Sequence, residues 1–215
     1  MKKSTLLIFG LIGAVVLGIV ILYLYGAGIR DNAVVKQESV NAAWGNVQSA
    51  YQRRADLIGN LVETVRAAAE NEKEILVGVT EARAGIKHYA DSVGNIINQQ
   101  SEKIKRATSP DDLQNSDMVM MTAYGGFRGF ITENYPTVQS TQNFSALQSE
   151  LEGTENRINT ERNRYNDAVK EYNSHIRGTF KRMGLKLVSD ESDDFTVRKA
   201  FEAKPGADEV PKVKF

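Results

Sequence analysis

The residues that could bind a metal ion or transfer a proton are few in this sequence. It contains two histidines, His88 and His175, and no cysteine, which removes thiol catalysis, cysteine-based zinc sites and disulfides. Neither histidine follows a glutamate by three residues, the spacing that di-metal sites in helical bundles use. Glu171 and His175 are four residues apart, which favours a surface ion pair on one helix face. We therefore predict no metal ion, no cofactor and no catalytic residue.

The acidic residues near the C-terminus do not form a recognisable cation site. Asp190, Glu191, Asp193 and Asp194 lack the glycine and the final glutamate of a calcium-binding loop, and we interpret them as a solvated, mobile segment. The chain carries 27 basic and 27 acidic residues. Binding to a nucleic-acid backbone requires a basic face, so this balance predicts no nucleic-acid partner.

Polar residues with helical spacing recur in two parts of the chain. The pairs Tyr165–Asn166 and Tyr172–Asn173 recur after one heptad, so each pair presents the same helix face. One interpretation, which we prefer, is that these groups form hydrogen bonds at the edge of a helical core and specify its packing. The other is a polar groove that receives a partner segment. The residues of this polar set are Arg53, Arg54, Asp56, Asn60, Asn156, Asn166 and Asn173.

Two long helices must position this polar set. Residues 40–83 contain no proline and carry apolar side chains at alternating spacings of three and four, which predicts one long amphipathic helix. The same pattern predicts another long helix over residues 142–180. We expect the two helices to form the core pair of a bundle. Their facing core residues would be Trp44, Tyr51, Ile58, Leu61, Ile158, Tyr165 and Tyr172.

The region between these helices contains several signals for helix ends. Gly85 and Gly94 each weaken a helix by about 1 kcal/mol relative to alanine. The sequence leaves open whether the first helix continues through them or turns back. Ser109 followed by Pro110 is typical of a helix start. The pair Gly125–Gly126 is expected to interrupt the helix that begins there.

Residues 6–25 are twenty consecutive residues without a charge, enough to cross a bilayer as a helix. A cleaved signal peptide is the alternative, but its apolar region would be unusually long and its cleavage site poor. Lys2 and Lys3 before the span are nearly balanced by Arg30 and Lys36 after it, and the N-terminal amine tips the count toward an N-terminus inside and a body outside the inner (cytoplasmic) membrane, periplasmic where two membranes exist. Gly10, Ala14 and Gly18 are spaced by four and predict a face for self-association of this helix.

These elements predict an all-α protein. One N-terminal transmembrane helix is followed by an up-and-down bundle of three or four long helices. The expected organisation is a short flank over residues 1–5, the transmembrane helix over 6–25, a juxtamembrane link over 26–37, a helical-bundle domain over 38–182 and a C-terminal tail over 183–215.

Two long motifs, in order, closely resemble the LemA family. They are YQRRADLIGNLVETVRAAAENE, beginning at Tyr51, and ENYPTVQSTQNFSALQSELEGTENRINTERNRYNDAVKEYN, beginning at Glu133. The ending KPGADEVPKVKF is also similar to that family. The resemblance implies a membrane-anchored bacterial protein with a helical-bundle body. It implies no established enzymatic activity.

Two functions of different classes remain open. The first is a non-enzymatic, membrane-anchored scaffold or interaction protein of the bacterial envelope, which self-associates and organises other envelope proteins. The alternative is an adaptor or modulator of a membrane-bound zinc metalloprotease, a partner that the resemblance suggests and the residues themselves do not. Stable self-association without other proteins would favour the first, and co-purification with a protease at a fixed ratio would favour the second.

Overall fold

The computed structural model describes residues 2–71, 80–134, 142–190 and 193–202. Within these ranges the chain forms five α-helices and no strand, so the expectation of an all-α protein is confirmed. The helices are α1 (Lys2–Asn71), α2 (Thr80–Arg106), α3 (Pro110–Asn134), α4 (Gln142–Arg177) and α5 (Thr179–Val188).

Helix α1 is long because its sequence contains no strong helix breaker. All four prolines of the chain lie at or after position 110. The uncharged segment over residues 6–25, the link over 26–37 and the first part of the predicted amphipathic helix therefore form one continuous helix. Helix α1 contains a stretch long and apolar enough to cross a membrane. The large apolar side chains of that stretch are exposed.

Helix α2 runs antiparallel to α1. Gln52 Nε2 donates a hydrogen bond to Ser101 Oγ at 2.7 Å, and Arg66 Nη1 lies 4.0 Å from Asp91 Oδ1. Later residues of α1 therefore pair with earlier residues of α2. The chain turns back instead of continuing as one helix, which answers the question that the sequence left open. Residues 72–79 lie outside the described residues. The single helix predicted over residues 40–83 is wrong, because residues 80–83 belong to α2.

The chain divides into two compact units, each built from two separate stretches. One comprises Trp44–Arg164 and Phe201–Phe215, and we call it the bundle unit. The other comprises Met1–Ala43 and Tyr165–Ala200, and we call it the span unit. Helices α1 and α4 each contribute residues to both units.

In the bundle unit, parts of α1, α2, α3 and α4 pack as an up-and-down bundle. Tyr89 of α2 packs edge-on against Phe127 of α3, with ring centroids 5.8 Å apart. Of the three or four helices expected from the sequence, the bundle has four. Its buried apolar residues include Val47, Ile58, Leu61 and Val65 of α1, Ile86, Ile97 and Ile104 of α2, Leu113, Met120 and Ile131 of α3, and Phe144, Leu151 and Ile158 of α4.

In the span unit, α5 crosses α1 at a point where two glycines allow close approach. A Cβ atom added to Gly184 would lie 2.7 Å from Ile29 Cδ1, and one added to Gly26 would clash with the side chain of Val188. Gly26 therefore favours glycine, whereas a Cβ atom at Gly184 would have to displace the end of the Ile29 side chain. The buried apolar residues of this unit include Ile29, Ala33 and Val40 of α1, Tyr165, Val169, Tyr172 and Ile176 of α4, and Leu185 of α5.

The predicted start of α3 is confirmed by its capping contacts. The Asp112 N–H donates to Ser109 Oγ at 3.2 Å, and Ser109 Oγ donates to Asp112 Oδ2 at 2.7 Å. Pro110 occupies the first helical position. The hydrogen bond from Ser109 lowers the pKa of Asp112, which keeps a negative charge at the positive end of the helix.

Two glycine positions differ from the expectations. The predicted interruption at Gly125–Gly126 is wrong, because α3 continues through both residues. A Cβ atom at Gly126 would lie 3.1 Å from Tyr89 Oη, so this glycine makes room for a side chain of α2. The helix predicted over residues 142–180 ends at Arg177. Gly178 has an extended backbone, with φ −60° and ψ 132°, and α5 begins directly after it.

Candidate functional site

A buried arginine joins three helices of the bundle unit. Arg54 interrupts the apolar stripe of α1 and is only 3% exposed. Its Nη1 lies 2.9 Å from both carboxylate oxygens of Asp117 on α3, and its Nη2 pairs with Glu155 on α4. A buried guanidinium without partners is strongly destabilising. The three helices therefore satisfy this charge only in their present arrangement.

Tyr51 lies one turn before Arg54 and extends this cluster. Its ring centroid is 6.0 Å from the Arg54 Cζ atom. Burial, with a smaller contribution from the charge of Asp117, raises the pKa of Tyr51 to about 12. The phenol therefore keeps its proton at neutral pH, and it serves as a packing group and not as a base.

The other polar residues predicted in the bundle unit do not join this cluster. Arg53 is exposed, and its Nη2 lies 3.6 Å from Glu150 Oε2. Asp56 and Asn60 of α1 and Asn156 of α4 are also exposed. Arg53 and Asp56 line one surface groove, whose lining does not include Arg54, Asn60 or Asn156.

In the span unit, an extended segment of the chain is held by side chains of α4. Asn173 Nδ2 donates to the Arg198 carbonyl oxygen at 2.8 Å, and the Arg198 N–H donates to Asn173 Oδ1 at 3.0 Å. Tyr165 Oη donates to the Lys199 carbonyl oxygen at 3.0 Å. Asn173 belongs to the predicted polar set. Its partner is the backbone of Arg198 in the same chain. A polar residue at the edge of the core therefore holds a segment of this chain.

Asp193 holds the beginning of the same segment. Its carboxylate accepts two hydrogen bonds from Arg30, at 2.6 and 3.1 Å. The hydrogen bond from Arg30, together with the backbone N–H of Asp190, lowers the pKa of Asp193. The stabilising pair is therefore complete above the ordinary pKa of an aspartate and is lost as the pH falls through the lowered value. The expectation of a solvated, mobile acidic segment is wrong for Asp193.

Phe201 anchors the end of the described C-terminal segment in the bundle unit. It is 6% exposed, stacks on Trp44 with centroids 6.2 Å apart, and lies 4.9 Å from the Arg162 Cζ atom. Arg162 Nη2 and Gln114 Nε2 each donate to the Glu202 carbonyl oxygen at 3.4 Å. Trp44, which we expected in the core, is half-buried against this segment instead.

The predicted ion pair between Glu171 and His175 is not present. Glu171 Oε2 accepts from Lys36 Nζ at 2.9 Å, and this contact lowers the pKa of Glu171. His175 is buried, with Nε2 3.0 Å from the Ile29 carbonyl oxygen. A carbonyl oxygen can only accept, so Nε2 carries the proton. Across the described ranges, no group of three His, Asp or Glu side chains could hold a metal ion.

The remaining predicted residues fall into two groups. Apart from Trp44, the predicted core residues are buried: Tyr51, Ile58, Leu61, Ile158, Tyr165 and Tyr172. Asn166 is half-buried on α4. The predicted self-association face, Gly10, Ala14 and Gly18, lies on the apolar part of α1, and a Cβ atom added to either glycine would meet nothing within 4 Å.

The sequence pattern did not identify the residues that pair with this set. Asp117 and Glu155 are 63 and 101 residues from Arg54, and no local spacing connects them. Phe201 offered a weak signal, because it is an aromatic residue in a stretch that carries the charges of Arg198, Lys199 and Glu202. A large apolar side chain in such surroundings is a candidate for an isolated anchor.

These features define a class: an all-helical protein whose first helix combines a stretch able to cross a membrane with a side of a four-helix bundle. The model of the LemA family matches residues 43–215, and the chain belongs to that family. It is also similar to three magnetosome proteins. MamQ 1 and MamQ 2 of Paramagnetospirillum magneticum (strain ATCC 700264 / AMB-1) are each 28% identical over 151 residues, which is 66% of this chain and 55% of each relative.

The third relative extends the same match. MamQ of Magnetospirillum gryphiswaldense (strain DSM 6361 / JCM 21280 / NBRC 15271 / MSR-1) is 28% identical over 158 residues, 69% of this chain and 57% of that protein. The chain therefore spans somewhat more than half the length of the curated relatives that it matches.

Replacing the buried arginine is expected to destabilise the bundle. Arg54→Met keeps most of the apolar stem but removes the buried guanidinium that pairs with Asp117 and Glu155. It should cost about 3 kcal/mol, because Glu155 can turn to solvent. The measurement is urea unfolding of the detergent-solubilised full chain, followed by Trp44 fluorescence. Arg53→Met is the matched control, an exposed neighbour expected to change stability by less than about 0.5 kcal/mol. Equal losses for the two variants would contradict the assigned role of Arg54.

Replacing Asn173 is expected to release the extended segment. Asn173→Ala removes both hydrogen bonds to the Arg198 backbone, each worth about 1 kcal/mol net. Trypsin cleavage after Arg198 and Lys199 should become at least roughly tenfold faster, because cleavage requires local opening. Asn156→Ala, an exposed asparagine on the same helix, is the control and should leave the rate unchanged. A wild-type rate in Asn173→Ala would mean that other contacts hold the segment.

Proposed function

We propose that this chain is a non-enzymatic scaffold or interaction protein, anchored in a membrane by the N-terminal part of α1. The observation that carries the proposal is the exposure of this part. Its large apolar side chains, from Leu7 to Tyr25, are between 47% and 75% exposed. An apolar surface of this length is unfavourable in water and favourable in the hydrocarbon core of a bilayer. Farther along, α1 supplies buried residues to both units.

The chemistry of the polar groups supports a binding role over catalysis. Arg54, His175 and Asp193, whose side chains are largely buried, each have partners within the chain. The pKa of Tyr51 is raised to about 12, which removes it as a base at neutral pH. These groups hold helices and a terminal segment together. They therefore have a structural role, which fits a protein that acts by making contacts.

The relatives support the same class of function. Their names refer to a cellular structure, the magnetosome, and to no reaction. The match covers only part of each relative. We therefore do not attribute the partners of those proteins to this chain. What we propose to be common is the role of a helical body that makes contacts at a membrane.

Self-association through the membrane helix is part of this proposal. Gly10, Ala14 and Gly18 lie four residues apart on one face of α1, and space is open around both glycines. Small residues at this spacing let two helix backbones approach closely in lipid, where dispersion contacts hold them. Copies joined in this way would present several helical bodies at one membrane site.

Blocking this face is expected to reduce oligomers. Gly10→Leu combined with Ala14→Leu places bulky side chains on it and should lower the fraction of cross-linked oligomers in native membranes, with equal amounts of folded protein. The control is Ile12→Leu with Val16→Leu, on the opposite face of the helix. Unchanged oligomers in the first variant would exclude this face.

The oligomeric state of the wild-type protein tests the scaffold function itself. A purely monomeric wild type would exclude the self-associating scaffold. Co-purification with a membrane-bound zinc metalloprotease at a fixed ratio would favour the adaptor function instead. Self-association that persists in the purified protein supports the scaffold.

We further propose that the N-terminus is inside and the body outside the cytoplasmic membrane. The support is the N-terminal flank, which has Lys2, Lys3 and the terminal amine and no acid, whereas the other flank mixes Arg30 and Lys36 with Asp31 and Glu38. Because the chain has no cysteine, an exposed position can be probed singly with Ser149→Cys. A membrane-impermeant thiol reagent should label it in intact cells, or in spheroplasts where an outer membrane exists. Labelling only after lysis would reverse the orientation.

A further inference from the structure

Helix α5 has an apolar face that nothing in the described part of the chain covers. Its buried residues are Gly184 and Leu185. Phe180, Met183 and Leu187 are 77%, 60% and 72% exposed. Their spacing of three and four places them on one side of the helix. Outside the apolar stretch of α1, Phe180 and Leu187 are the most exposed large apolar side chains among the described residues.

This helix lies directly beside the end of the apolar stretch. Within the span unit, the side chain of Val188 contacts Gly26, the residue after Tyr25. Gly184 packs against Ile29, one turn farther along α1. The glycine crossing therefore fixes α5 at the position where α1 would leave the hydrocarbon core of a bilayer.

The charged residues of α5 itself are basic. No acidic residue lies between Glu171 and Asp190 in the sequence, whereas Lys181, Arg182 and Lys186 are all exposed on α5. These three side chains form no ion pair with any residue that the structure describes. Arg182 and Lys186 line a surface groove with Asp193, Thr196 and Val197.

An exposed apolar face with basic residues at its sides is the composition of helices that lie in a membrane interface. Aliphatic and aromatic side chains enter the boundary between headgroups and acyl chains, and lysine and arginine stay with acidic headgroups. The contact with Gly26 holds α5 where such a surface would be, if α1 crosses the membrane. A lipid surface therefore accounts for its apolar face, its charge and its position.

We propose that α5 lies in the membrane–water interface beside α1, with Phe180, Met183 and Leu187 in the upper acyl region and its basic residues on acidic phospholipid headgroups. The inference rests on the proposed membrane anchoring by α1 and extends it. The membrane then contacts the chain at two elements, one that spans it and one that lies on it.

The test uses the full chain in lipid vesicles that contain acidic phospholipids. An environment-sensitive fluorophore is attached to Met183→Cys, the only cysteine of that variant. Its emission should be blue-shifted, and nitroxide lipids labelled high in the acyl chain should quench it more than those labelled near its end, because interfacial helices lie only about 5–10 Å deep. Val35→Cys is the matched control, since Val35 is 64% exposed in the same unit and lies ten residues, about 15 Å, beyond the end of the apolar stretch. It should show water-like emission.

A third label separates this inference from the anchoring itself. A fluorophore at Val16→Cys, within the apolar stretch, should be quenched by the deep nitroxide. Quenching at Val16 without quenching at Met183 would overturn the placement of α5 and leave the anchor intact. No quenching at Val16 would overturn both. A blue shift at Met183 that grows with the protein-to-lipid ratio, without lipid quenching, would identify a second copy as the partner and overturn the lipid contact.

A separate variant tests whether the basic residues of α5 bind acidic headgroups. Arg182→Gln combined with Lys186→Gln leaves the apolar face intact, and should reduce quenching of the Met183→Cys label severalfold in acidic vesicles. High salt should reduce the quenching of the parent variant in the same way. Equal quenching of the parent in acidic and in neutral vesicles would overturn the assignment of acidic headgroups.

Discussion

One constraint governs this structure: the single uninterrupted helix α1 has an exposed apolar surface in its first part and packs against other helices in its later part. Over residues 7–25 its apolar side chains point outward on all sides, and farther on they are confined to a stripe. A helix that is apolar all round suits lipid or a protein core, whereas a striped helix needs partners on one side only. Helices α2, α3, α4 and α5 supply those partners. The chain is thus built around one helix whose pattern changes along its length.

Buried polar groups add specificity to a core that apolar stripes alone would leave adjustable. Apolar side chains attract each other without direction, so striped helices can slide or rotate. The pairing of Arg54 with Asp117 and Glu155 is directional and joins three helices at one level of the bundle unit. Asn173 plays a comparable part in the span unit, where its amide pairs with both backbone groups of Arg198. We regard fixed helix register as the role of these groups.

Close packing at Gly26 and Gly184 sets the position of α5 beside α1. Gly26 and Gly184 let two backbones approach, and the crossing leaves Phe180, Met183 and Leu187 facing away from the chain. The short break at Gly178 allows this change of direction after α4. A larger residue in place of Gly26 would separate α5 from α1. The proposed contact with lipid depends on this crossing, since it keeps the exposed apolar face beside the end of the apolar stretch.

The sequence by itself determined the features that depend on neighbours along the chain. Periodicity predicted the all-α class and buried positions such as Ile58 and Tyr172, and Ser109 marked the start of α3. The tertiary structure decided which helices meet, and therefore which acids pair with Arg54 and why α3 passes through Gly126. It also decided the path of residues 193–202. That segment has no periodic pattern, and side chains of other elements bind mainly its backbone groups. Because the backbone is chemically alike at nearly every residue, such contacts leave no signature in the sequence.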